Sequence, residues 1–475
     1  MDELKQFEEY LGYLQPALGH QDRNEGLKGY CAGLMSPLSR KSVEPMAAHI
    51  DPERTRSRHQ SLHHFVADST WSDEQMLLRV AQWVVPKMDF GDGGWWIIDD
   101  TGFPKAGRHS VGVARQYCGM LGKQDNCQVA VSVSLACERA SLPVAWRLYL
   151  PREWADDATR RAKAGVPEEV AFATKTAIAL AQLEHLLAQG APKHCVLADA
   201  GYGTETAFRE RLRELGLPYV VGVTRQANVW APGHEPIVPE PRQGRGRQFT
   251  RLQLGSADDP LHRPQSVKDV ALELSPLEWY RVSWREGTNQ RLRSRFARVR
   301  VRTAHRDEDR KTLREPEWLL IEWPEDEPEP TKYWLSTLAE SASIERMVYE
   351  AKMRWRIERD YQDLKQDLGL GHYEGRGWRG FHHHASLSIA AYGFLTALRL
   401  SHPDEIGAKK NFVPGEEPAL PTHYKPRGSP AHAAPRPLID HEFAAAYRRS
   451  TAQDASPMSM LPARKRRATL VTQYD

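Results

Sequence analysis

A chain of 475 residues has room for about two to four domains and a sizeable core. Its net charge of only +3 excludes the global field that marks many nucleic-acid binders, so any basic footprint must be local. The five cysteines, at 31, 118, 127, 137 and 195, form no C-x-x-C pair, which speaks against a disulfide framework or zinc knuckle and for reduced thiols.

The opening MDELKQFEEYLGYL is acidic and amphipathic, unlike a secretory signal, and no apolar run reaches the length of a membrane span. A cytoplasmic protein with no membrane partner is expected. Leu4, Phe7, Leu11 and Leu14 share one helical stripe. Asp51-Pro52 reads as a cap and first turn, and Ser72-x-x-Gln75 as a capping box before Leu77, Val80, Ala81 and Val84. Residues 1–90 therefore read as an all-helical N-terminal domain. The run RSRHQSLHH (56–64) gives it a basic patch, which suits a DNA-binding module or a plain helical interaction domain.

From residue 91 the pattern changes. Trp95 to Asp99 is a short apolar strand ending in Asp99 and Asp100. Cys127 to Ala136 alternates as a half-buried strand does, and Val144 to Leu150 reads as a third strand. Val170 to Gln189 is a predicted helix stopped by Gly190, and His194 to Ala198 a strand running into Asp199. Thr204 is placed as the cap of a second helix, ending at Gly216, and Tyr219 to Val223 is a fifth strand. Three strands, helix, strand, helix, strand predict an α/β fold with a mixed sheet, the order found in ribonuclease-H-like folds. In that order the first and fourth strands are neighbours, so Asp100 and Asp199 converge. Residues 91–223 are the first part of this domain.

Residues 224–342 differ in character and read as a β-rich basic insertion. PRQGRGRQFTR (241–251) is expected to be a flexible basic loop. Residues 281–302 hold eight arginines and one acid, with Arg298, Arg300 and Arg302 on one strand face and a bulge or turn expected near Phe296-Ala297. That face suits a phosphate backbone, or the protection of a sheet edge. Trp284, in the same stretch, is either a core residue or a candidate for base stacking. Residues 343–400 complete the domain with its final helices, and the Pro-rich tail 401–475, ending near RKRR (464–467), is expected to be disordered.

The stretch 343–370 reads as one long helix. Arg354, Glu358, Tyr361 and Lys365 are spaced by four, three and four, which makes one polar stripe. Met353, Ile357, Leu364 and Leu368 form the apolar stripe beside it. The polar stripe is either a solvated salt-bridge face or, with Asp100 and Asp199 opposite Glu358, a catalytic site. Three converging carboxylates repel strongly unless paired. Divalent ions resolve the repulsion, and all-oxygen ligands favour magnesium, with manganese as substitute, over zinc. Two such ions about 4 Å apart serve phosphoryl transfer by activating the attacking oxygen and stabilising the leaving one. Arg354, Tyr361 and Lys365 would then grip the phosphate.

At this point three segments carry a resemblance. IDDTGFPKAGRHSVGVARQYCGMLGKQDNCQVAVSVSLA (98–136), LADAGYG (197–203) and RWRIERDYQDLK (354–365) resemble bacterial insertion-sequence DDE transposases, more narrowly the IS-four superfamily and its IS-seven-hundred-and-one type. The resemblance implies magnesium-dependent cutting and joining of double-stranded DNA, at the element's terminal repeats and in the target. It also implies at least a dimer on DNA ends, and a bacterial, nucleoid-associated enzyme. By motif, Asp100 (the aspartate before the threonine), Asp199 and Glu358 are the catalytic, metal-binding acids. The family's Tyr-x2-Arg-x3-Glu-x6-Lys signature fits Arg354, Glu358 and Lys365, but Ala351 stands where the tyrosine belongs. Tyr349 and Tyr361 are the available substitutes.

Other chemistries fit less well. Consecutive helical residues such as His382, His383 and His384 point in different directions, against a metal site. No P-loop lysine is present, so no nucleotide cofactor is expected. A nuclease of the same fold that never joins, and a DNA-binding descendant with its chemistry lost, are the remaining alternatives.

Overall fold

The computed structural model describes residues 3–91, 93–230, 232–233, 236, 264–286, 291–304 and 313–402. The loop 241–251, most of the tail and its RKRR lie outside the described residues. Helices α1 (Glu3–Leu14), α2 (Asn24–Met35), α3 (Val43–Ile50), α4 (Thr55–Ala67) and α5 (Asp73–Val84) come first. Ser72 caps α5 by accepting from the Gln75 amide at 3.1 Å, and Asp51 caps the short turn Pro52–Arg54. Phe7, Leu11 and Leu14 of the predicted stripe are buried.

Strands β1 (Trp95–Pro104), β2 (Ala114–Cys118), β3 (Lys123–Ala136) and β4 (Ser141–Leu148) follow as an antiparallel group. Then come α6 (Arg152–Ala155), α7 (Ala158–Ala164), α8 (Lys175–Ala188), β5 (Cys195–Ala198), α9 (Ala200–Gly203), α10 (Thr206–Glu214) and β6 (Tyr219–Val223). β1, β5 and β6 are parallel neighbours. The second predicted helix is α10, but its cap position is Glu205 and not Thr204, which instead closes the short preceding α9 that was not expected.

The next segment contributes β7 (Asn228–Trp230), β8 (Gln265–Ser266), α11 (Val267–Glu273), β9 (Tyr280–Glu286), β10 (Arg291–Thr303), β11 (Glu317–Trp323) and β12 (Lys332–Ser336). These strands do not form a separate layer. β12 pairs with β6, β11 with β12 and β10 with β11, all antiparallel, so a 12-stranded mixed sheet runs through both parts. The irregularity expected near Phe296-Ala297 lies instead at Leu292/Arg293, where the β9–β10 register shifts. β10 then continues unbroken, because Phe296 and Ala297 are both buried and keep their pairing to β11.

The predicted long helix is interrupted. α12 (Ile344–Met353) and α13 (Trp355–Gln366) meet at Arg354, and α14 (Trp378–Ser401) follows. Met353, Ile357, Leu364 and Leu368 are all buried, each contributing roughly 2 kcal/mol of apolar burial. α14 is buried on nearly every side and packs on α5, α2 and α4, so the helical N-terminal segment and the final helix share one continuous core. Its Gly393 faces α5, where an added Cβ would come within 2.7 Å of Val80. No described helix is long and apolar enough to cross a membrane.

The three consecutive histidines of α14 reach three different elements. His382 accepts from the Leu148 amide at 3.2 Å, and His383 stacks on Trp71 with ring centroids 3.6 Å apart. His384 has its Nδ1 2.9 Å from the Tyr30 hydroxyl and its Nε2 2.9 Å from the Gly369 carbonyl. Burial pushes the His384 pKa down to about 4, and the neutral ring satisfies both contacts by accepting from Tyr30 and donating to Gly369.

Candidate active site

β1 and β5 pair only as far as Ile97 and Leu197. Two residues further along each strand stand Asp99 and Asp199, level with each other and of the same parity. Asp199 opens α9 and accepts from the Gly201 amide at 2.9 Å. α9 in turn lies close against β6, because a Cβ on Gly203 would meet the Gly222 carbonyl oxygen at 2.2 Å. The glycine of LADAGYG is therefore needed for the backbone approach that fixes Asp199.

Arg354, at the α12–α13 break, joins the strand end to α13. Its Nη1 lies 2.9 Å from Asp99 Oδ2 and its Nη2 3.2 Å from Glu358 Oε1. Burial opposes the Arg354 charge, but Asp99, Asp199 and Glu358 together hold its pKa above the usual value. Burial pushes the Asp99 carboxyl up to about 7, with Arg354 opposing and Asp199 and Asp100 adding to the rise. Glu358 is largely exposed, at 68% for its side chain, and so is free to turn towards a ligand.

Asp100 faces elsewhere. Its Oδ2 lies 3.1 Å from Lys175 Nζ at the start of α8 and accepts from the Tyr202 hydroxyl at 3.3 Å. Burial raises the Tyr202 pKa well above normal, and Asp100, Asp99, Tyr361 and Asp199 add to the rise. Tyr361 is buried and shares a 2.8 Å hydrogen bond with Ser132. Lys365 donates to the Gly102 carbonyl at 3.0 Å, and burial lowers its pKa to about 8.

Lys175 and Tyr202, which bond Asp100, were not singled out in the sequence, and Asp99 was set aside there in favour of Asp100. The parity that Asp99 shares with Asp199 was the available signal, but it needs the β1–β5 register. Among the described residues no three His, Cys, Asp or Glu side chains are grouped closely enough to hold a metal ion as they stand. The donor set is nevertheless all carboxylate, which suits a hard divalent cation, and the Arg354 guanidinium now supplies the positive charge among those acids.

The remaining expected residues are occupied by the fold. Arg298 donates to the Ala342 carbonyl and lies over Trp318 at 4.6 Å. Arg300 donates to the Pro316 carbonyl at 2.9 Å and pairs with Glu340 at 3.4 Å, and Arg302 donates to the Arg314 carbonyl. Trp284 is half-buried, edge-on to Phe296, with Lys352 over its ring at 4.3 Å. Ala351 is buried, and the Tyr349 hydroxyl is bonded to Glu138.

A family model described as DDE superfamily endonuclease matches residues 13–291, more than half of the chain. The chain belongs to that family. The match contains Asp99, Asp100 and Asp199, whereas Glu358 lies beyond it. A probable transposase for insertion sequence element IS701 of Microchaete diplosiphon is 32% identical over 200 residues, 42% of this chain and 48% of that protein. The chain thus matches about half the length of that relative. Among solved structures, a piggyBac transposase synaptic complex with hairpin DNA is 12% identical, with 78% of this chain and 56% of that one covered. Its TM-score of 0.34 is too low to bear on topology.

Proposed function

We propose that this family member is an insertion-sequence transposase. It binds the ends of its element as at least a dimer, cleaves DNA in a metal-dependent reaction and joins the freed 3′ end to target DNA. What supports this reading is that Asp99 and Asp199 stand at two adjacent strand ends, with Arg354 bonded to both Asp99 and Glu358 and with Asp100 held by Tyr202 and Lys175. The strand order β4-β3-β1-β5-β6, parallel only at β1, β5 and β6, supports a ribonuclease-H-like domain extended by the later strands. The family works with divalent metal ions. Asp100, Asp199 and Glu358 would hold magnesium or manganese, which supplies Lewis-acid charge at the scissile phosphate.

The chain's own groups do the rest. Tyr202 and Lys175 orient Asp100 from the α8–α9 side. Arg354 holds Asp99 and Glu358 in one network, and its planar fork can exchange a carboxylate for a phosphate oxygen. Lys365, anchored on Gly102, keeps a second cation beside the strand. In-line displacement at phosphorus needs no covalent enzyme intermediate. Asp99 is the alternative first carboxylate, since its parity matches that of Asp199.

The test is a cleavage and strand-transfer assay on duplex DNA carrying the element's ends, with and without magnesium. Asp100→Ala, Asp199→Ala and Glu358→Ala should each abolish both steps, and full activity in any of them would remove that residue from the site. Comparing Asp99→Asn with Asp100→Asn decides which aspartate is essential. Cleavage without joined products would identify a nuclease instead.

A further inference from the structure

Helix α13 carries a second polar flank. At 100° per residue, Arg356, Arg359, Asp360 and Asp363 lie on the side opposite Arg354, Glu358 and Lys365. That flank, the β3–β4 turn at Arg139 and the end of α14 at Thr396 and Arg399 enclose a cavity of about 100 Å³. The space is that of a few water molecules, the scale of a single phosphate group.

The polar groups around it are unequally satisfied. Asp363 is paired with Arg359 at 3.0 Å and with Arg399 at 3.9 Å. Asp360 is buried and accepts from Ser141 and, at 2.9 Å, from Tyr392. Arg356 makes no hydrogen bond and no ion pair among the described residues, although its Nε is shielded from solvent. Its guanidinium lies over the Trp355 ring at 5.3 Å, and burial lowers its pKa against the opposing pull of Cys137, Asp360, Tyr349 and Glu138. Thr396 is 4% exposed, lines the cavity, and its hydroxyl also has no partner. Exposed Arg139 is likewise without a described partner. Four arginines against two aspartates leave the cavity positive, and a solvent-shielded guanidinium N–H with no acceptor is costly unless an anion arrives.

We infer that this cavity is a phosphate-binding site for the DNA backbone, seated by Arg356, Arg139 and the Thr396 hydroxyl, and separate from the carboxylate site. Because it opens on the opposite flank of α13, the phosphate it takes is not the scissile one. The inference rests on the proposed action on DNA, but its chemistry is independent of catalysis.

The test uses the full chain and a short duplex, with binding followed by fluorescence anisotropy over a range of salt. Arg356→Met and Arg139→Gln together should weaken binding roughly tenfold at low salt and flatten the plot of log affinity against log salt by about one to two. The same loss should appear in an Asp199→Ala background, where no cleavage confuses the reading. Arg356→Met alone should melt no lower than the parent without DNA, since it removes an unpaired, half-buried charge. If it melts lower, the exposed Arg139→Gln variant carries the test. Wild-type affinity and salt slope in stable variants overturn the site. So does a phosphate-dependent rise in melting temperature that Arg356→Met abolishes while DNA binding stays unchanged, which would mark a free-anion site. Weaker binding by the variants of a protein that never cleaves DNA would keep the cavity and defeat the transposase reading.

Discussion

Arg298, Arg300 and Arg302 stand on β10 with their guanidiniums turned onto carbonyls of the same chain, whereas half-buried Arg356 on α13 has a solvent-shielded Nε with no acceptor among the described residues. The two groups have the same side chain and the same high formal charge density around them. They differ in what the fold has already given them. An arginine with satisfied donors stabilises the fold and has little left for a ligand, while one left unsatisfied reduces stability and is poised for one. The density of arginines along the sequence does not show which of them keep donors for a ligand; the hydrogen-bond partners do.

The comparison can be broken or sharpened at several points. The largest effect is expected at the acids, which have no apolar substitute. Asp199→Ala or Glu358→Ala should lower cleavage by about 10³-fold or more while the melting temperature stays near that of the parent, as kinetics and calorimetry together would show. Next is a buried polar group satisfied in only one protonation state, His384. Unfolded histidine takes up its proton near the ordinary value of 6.5 and the folded ring near about 4, so the unfolded chain binds more protons between these values. Stability is then complete above pH 6.5 and falls as the pH drops towards 4, by on the order of 3 kcal/mol. Urea midpoints against pH should lose this slope in His384→Asn.

Smaller effects separate positioning from charge. Gly203→Ala should cost about 1–3 kcal/mol, because its methyl group meets the β6 backbone, and it should lower cleavage more than binding by moving Asp199. Arg300→Met is the mildest change. A loss of about 1 kcal/mol in stability with an unchanged salt slope for DNA is expected, whereas a flatter slope would return β10 to the DNA surface.

Much of this arrangement was legible in the residues. Cys127 to Ala136 is a strand as expected, but it is buried on both faces and not half-buried, because β1 and β4 flank it inside the sheet. β2 was not foreseen; the acids closing two apolar runs did place Asp199 at the end of β5. The apolar stripe Met353, Ile357, Leu364 and Leu368 is buried as its spacing predicted. The break at Arg354 was hidden because residues on both sides keep helical periodicity, and no glycine or proline marks it. Asp99 was passed over because strand parity separates it from Asp100 but does not say which of them matches Asp199. That answer requires the pairing of Ile97 with Leu197. The partners of Arg298, Arg300 and Arg302 come from Ala342, Pro316 and Arg314, and neither spacing nor composition foretells which carbonyl a strand arginine will reach.

The pairing of β12 with β6 has a consequence for the order of events during synthesis. Asp99 and Asp199 are made early, but Arg354 and Glu358 follow β12 in the chain, and β12 must cross more than a hundred residues to find its partner on β6. A nascent chain can therefore fold its strand ends and still be chemically silent, because the helix that completes the proposed site cannot dock until that distant pairing closes. If the proposed activity holds, the late strand acts as a lock that opens only once residues 332–366 have been made.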